Sequence, residues 1–153
     1  MRCPTCNERE LQDGSTKLHS EVAGQNFSAE ASALVCPNCG ESLVDGKVQE
    51  RFELEVAWKL AFGPPAGEPF RFMRKALGLK AETVADLLQT TPETVSRWET
   101  GKIRMDAKAY ALMAMMILDR RRGRGWKTTQ NYLTELANQD QQRQAQVDLG
   151  HVA

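Results

Sequence analysis

Four cysteines, Cys3, Cys6, Cys36 and Cys39, stand as two CxxC pairs, each opened by Cys-Pro. A tight turn within such a pair brings both thiolates to one side of a metal. Two pairs then make the tetrahedral four-sulfur set that suits structural Zn²⁺. Asn7 and Gly40 follow the pairs, and both residue types tolerate the left-handed backbone such turns often need. The alternatives are two disulfides, four ordinary thiols, or an iron site of the rubredoxin kind, since sulfur ligands alone do not separate zinc from iron. The chain opens Met-Arg-Cys-Pro-Thr-Cys with no apolar signal region. A reducing, cytoplasmic setting is therefore expected, which disfavours disulfides. The expectation is one structural zinc per chain. A catalytic zinc keeps an open position, whereas four thiolates saturate the ion. His19 and His151, the two histidines, are expected on the solvated surface. With no phosphate-cradling glycine loop and no nucleophile–base pair at a recognisable spacing, an enzyme is not expected.

A second group of residues suits nucleic acid. Formal net charge is zero, but residues 1–68 hold 6 Lys/Arg against 11 Asp/Glu, while residues 69–127 hold 13 against 6. The basic residues flank a short segment, Thr91 to Thr100, whose helical spacing puts Arg97 opposite Val95 and Trp98. Arg97 could there read a guanine edge with two hydrogen bonds. Thr91, Thr94 and Ser96 are short donors for phosphate or base contacts near a helix start. Lys80, Lys102 and Arg104 suit backbone phosphates, which set affinity and salt dependence. Glu93 cannot donate to bases; it can accept from a cytosine amino group or complement the helix N-terminus. Trp98 follows the apolar spacing and belongs to the core, and Glu99 is expected to hold the following turn by hydrogen bonding. Arg120–Arg124 either meet phosphate or complement a helix C-terminus.

Local patterns say which elements carry these groups. The 29 residues between the cysteine pairs need a hairpin of their own, with strands near Thr16–Val22 and Phe27–Val35 and a turn signal at Gly24-Gln25-Asn26. A helix is expected from Lys47 to Phe62, with Val48, Phe52, Val56 and Leu60 on one stripe and Leu54, Trp58 and Phe62 on another. Packing against the metal module is the favoured use of that surface. Gly63-Pro-Pro-Ala-Gly-Glu-Pro69 breaks regular structure. Helices then follow from Pro69 to Leu77, Lys80 to Leu88 and Pro92 to Thr100, with Thr91 as N-cap of the third. Another starts at Asp106, and its Met113, Met115 and Met116 are assigned to core or a dimer seam. The last runs from Lys127 to Ala145 with Tyr132, Leu133 and Leu136 on its apolar side. The organisation expected is 1–62 metal module with trailing helix, 63–69 linker, 70–126 helix-turn-helix, and 127–153 C-terminal helix and frayed tail. The fold class is mainly α with a small β zinc-binding module.

The run Phe72 to Leu88, followed by Thr91-Pro92-Glu93-Thr94-Val95-Ser96-Arg97-Trp98-Glu99-Thr100-Gly101-Lys102, resembles a Cro/CI-type helix-turn-helix. Together with the two N-terminal CxxC turns, the order of modules over residues 1–120 is similar to the MqsA/YgiT-type antitoxins. That resemblance implies an N-terminal zinc domain that binds a small basic toxin, and a C-terminal half that dimerises on a palindromic operator and represses its own operon. This chain departs from the pattern at Ala81, where a backbone-touching Gln is common, and at Glu93, where MqsA-like proteins tend to carry a base-reading Asn. A different operator sequence is expected. The alternative is a stand-alone helix-turn-helix regulator with a structural zinc finger and no toxin partner.

Overall fold

The computed structural model describes residues 1–123 and 127–138. Strands β1 (Gln12–Val22) and β2 (Gln25–Val35) form an antiparallel hairpin, to which the two-residue β3 (Ser42–Leu43) adds beside β2. Both long strands run further than their alternation predicts, because the ladder pairs Gln12 with Val35 and Val22 with Gln25 without interruption. The connection is Ala23-Gly24, both at positive φ (50° and 74°), one residue earlier than the expected turn. A two-residue turn of that hand matches the twist of the flanking strands.

Helix α1 (Gly46–Ala61) begins where Asp45 accepts the Lys47 amide proton at 2.8 Å. Its stripe of Phe52, Val56 and Leu60 packs with Val22, and Leu18 and Phe27 cover the same cluster. The opposite side is used as well. Ala57 is fully buried in the core of the helical half, where Leu54, Trp58 and Ala61 pack against it. The helix therefore serves both halves, beyond the packing on the metal module that its sequence suggested. Phe62 stays exposed and meets Trp58 edge to face.

Helices α2 (Gly67–Ala76), α3 (Ala81–Leu87), α4 (Pro92–Glu99) and α5 (Ala107–Arg121) enclose a second core. Phe70, Met73, Val84, Val95, Met113, Met116 and Ile117 are its largest fully buried side chains. Each contributes on the order of 1.5–3 kcal/mol of transfer free energy. Helix α6 (Lys127–Asn138) covers α3 and α5 through buried Leu133. The expected continuation to Ala145, and Arg124 of the basic run, lie outside the described residues.

Helix α2 starts at Gly67, inside the stretch that the prolines and glycines mark as irregular, and Pro69 is buried in its first turn. A Cβ on Gly67 would lie 1.9 Å from the Trp98 carbonyl oxygen, so α2 approaches the end of α4 as closely as only glycine permits. Two further links join α1 to α5. Tyr110 donates a buried hydrogen bond to the Leu60 carbonyl at 2.8 Å, and Arg121 pairs with Glu55 at 2.9 Å while lying over the Trp58 ring. Burial raises the Tyr110 pKa above its ordinary value. No helix among the described residues is long and apolar enough to cross a membrane.

Candidate metal centre and nucleic-acid interface

The two cysteine turns have the same backbone. Asn7 donates its amide to the Cys3 carbonyl and Gly40 to the Cys36 carbonyl, both at 3.0 Å, and Asn7 and Gly40 themselves sit at positive φ (57° and 76°). Both left-handed positions were readable from the sequence. The turns dock face to face, so that Cys3 Sγ lies 3.6 Å from Cys39 Sγ and Cys6 Sγ 3.7 Å from Cys36 Sγ. All four sulfurs fall within 4.8 Å of one another. A metal bound to thiolates at about 2.3 Å in a tetrahedron puts the sulfurs about 3.8 Å apart, so the donor set fits such an ion. A disulfide needs about 2.05 Å, and the four cysteines are free.

No local pattern announces the bonds that lock the turns together. Thr5 donates to Glu41 at 3.1 Å, and Asn38 donates to Glu8 at 3.0 Å. In each case the residue two after the first cysteine of one turn reaches the residue five after the first cysteine of the other. The pair is thus related by an approximate two-fold axis through the sulfur cluster. Only docking of segments some thirty residues apart creates these contacts.

The thiols are unequal. The backbone amide of Glu8 leads in bringing Cys6 down to about 6, partly opposed by desolvation and helped by Asn38 and the neighbouring sulfurs. Cys3 is also lowered, chiefly by the Cys6 amide. Cys39 is helped by the Glu41 amide, but desolvation and the three other sulfurs outweigh it and push it up to about 12. Crowding of the sulfurs thus opposes full ionisation of the cluster, and a bound cation favours the thiolate forms by offsetting their charge. His19 sits away from this cluster, exposed and 3.1 Å from Asn26 Oδ1.

The second group of sequence-selected residues gathers around α4. Thr91 caps the helix by accepting the Thr94 amide proton at 3.1 Å, and Pro92 occupies its first turn. The turn before it, Leu88 to Thr91, contains Gln89 at φ 51°. Val95 and Trp98 are buried, with the Trp98 ring edge to face with Phe70. Glu93, Ser96 and Arg97 point the other way and line one shallow depression with Lys102 and Ile103. Lys80, Thr91 and Arg104 are exposed, and Thr94 is half-buried. Ala81 opens α3 and so contributes no polar group there.

One expectation fails. Glu99 does not hold the turn that follows it. Its carboxylate takes Arg74 Nε at 2.6 Å and Nη2 at 3.0 Å, with Arg71 4.0 Å away, while Arg74 Nη1 also donates to the Leu79 carbonyl. The pair is nearly buried, at 8% exposure for Glu99 and 12% for Arg74. Glu99, chiefly through that hydrogen bond, raises the Arg74 pKa. This bond fastens the end of α4 to α2, so the helix bearing the polar face is held at both termini. Arg120 and Arg121 lie in the last turn of α5, the helix-end placement expected of this run, and Arg121 also pairs with Glu55.

Comparison with curated proteins finds no match. The family model described as the antitoxin component of a bacterial toxin-antitoxin system, MqsA, matches residues 1–122. That span takes in both cysteine turns, the hairpin and every helix through α5, and the chain belongs to the MqsA antitoxin family.

Proposed function

We propose that this protein is the antitoxin of a type II toxin-antitoxin pair and represses its own operon by binding operator DNA. The observation that carries the DNA reading is the division of α4: Val95 and Trp98 are buried, while Glu93, Ser96 and Arg97 face solvent beside Lys102. In this reading α3 and α4 are the two helices of a helix-turn-helix, and α4 enters the major groove. Arg97 reads a guanine; Thr91, Thr94, Ser96, Lys80, Lys102 and Arg104 make phosphate or base contacts. A homodimer places two such helices on a palindromic site about one helical turn apart. Cys3, Cys6, Cys36 and Cys39 hold one structural Zn²⁺, and the acidic half around it receives a small basic toxin in the cytoplasm.

The test couples growth to repression. The adjacent small gene is induced with the wild-type protein or Arg97→Ala co-expressed, beside a reporter driven by the operon's own promoter. Wild type should relieve growth arrest and silence the reporter; Arg97→Ala should relieve arrest but leave the reporter on. Arrest unrelieved by either protein, with no change in the reporter, would refute the proposal.

A further inference from the structure

Glu93 and Arg97 lie one turn apart on the exposed face of α4, and Arg97 Nη2 donates to Glu93 Oε1 at 2.5 Å. Both remain open to solvent, at 71% and 52% exposure. An exposed pair of this kind adds little to stability, so its interest lies in what it presents. The guanidinium has five N–H donors in a rigid fork, and a single bond to Glu93 leaves others free to meet guanine O6 and N7. The second oxygen of Glu93 makes no hydrogen bond among the described residues and remains an acceptor.

We propose that Glu93 and Arg97 act as one reading unit, in which Glu93 is a specificity-determining residue that demands a cytosine beside the guanine taken by Arg97. This rests on the DNA-binding reading above. The carboxylate works in two ways. It holds the arginine fork to itself, away from phosphates that would otherwise attract a free guanidinium. It also accepts from a base amino group and repels the acceptor atoms of thymine and guanine edges. Because the two side chains touch, they suit bases on neighbouring pairs, one step of about 3.4 Å apart. The half-site therefore carries a cytosine in the base pair next to that of the guanine.

Glu93→Gln separates this from a merely structural role. The amide keeps the size of the side chain but can donate and accept, the pattern that suits adenine N6 and N7. Full-length zinc-loaded wild type and Glu93→Gln would each select sites from a random-sequence duplex pool. Fluorescence anisotropy would then follow binding to the selected duplex and its single-pair substitutions. Wild type should enrich the guanine with its adjacent cytosine. Glu93→Gln should keep the guanine, accept adenine at the cytosine position, and lose about ten- to a hundred-fold of discrimination there. Identical selected sites and unchanged discrimination for the two proteins would overturn the paired-reading proposal while leaving DNA binding standing. If wild type enriches no sequence at all, the DNA-binding reading itself is wrong and this one with it.

Discussion

Cys36 shows how far a single residue's role can be read before its surroundings are known. Its place in a CxxC turn, with glycine at the left-handed position after it, is a local pattern, and local patterns survive in sequence. The Thr5–Glu41 and Asn38–Glu8 bonds do not, because each depends on two segments meeting in space. Glu99 teaches the same lesson, since its partner Arg74 lies on another helix. Replacing one sulfur leaves an incomplete donor set, so Cys36→Ser should abolish stoichiometric metal binding. Amide spectra should lose the dispersed signals of both cysteine turns while those of the helical core persist. A Cys36→Ser protein that keeps one equivalent of metal and a native spectrum would contradict the assignment of this centre.

At the level of elements, helix existence was legible and helix ends less so. Thr91 and Asp106 announce α4 and α5 because capping is a short-range matter, and Asp106 accepts the Ala109 amide proton at 2.7 Å. The start of α2 was hidden, since glycine and proline normally signal a break. Gly67 is helical here because the chain must pass against the Trp98 carbonyl, where a side chain does not fit. Gly67→Ala should therefore force α2 away from α4, at a cost of about 1–3 kcal/mol. Urea melts would report the loss. If α4 reads DNA as proposed, the same variant should also bind operator DNA less tightly, because the last turn of α4 shifts with it. Unaltered stability would mean that the close approach carries no weight.

For the whole molecule, the charge split between the halves and the order of modules were plain in the sequence, but their mechanical union was not. Amphipathic spacing alone does not reveal that one helix serves two cores, because both uses give the same apolar pattern. Helix α1 sends Phe52, Val56 and Leu60 into the hairpin cluster and Ala57 into the helical one, and Leu60 accepts the Tyr110 hydroxyl. A protein comprising residues 67–153 loses that buried hydrogen bond and exposes apolar surface of the second core. It should be less stable than the full chain by about 2–4 kcal/mol, measurable as a lower midpoint in urea; equal midpoints would show that α1 is dispensable. Between α1 and α2 run Pro64 and Pro65, both exposed. A cut there would leave α1 joined to the helical half by noncovalent contacts alone. If the protein guards a toxin and silences a promoter as proposed, the two activities would then share one half-life: the cell could not discard the first and keep the second.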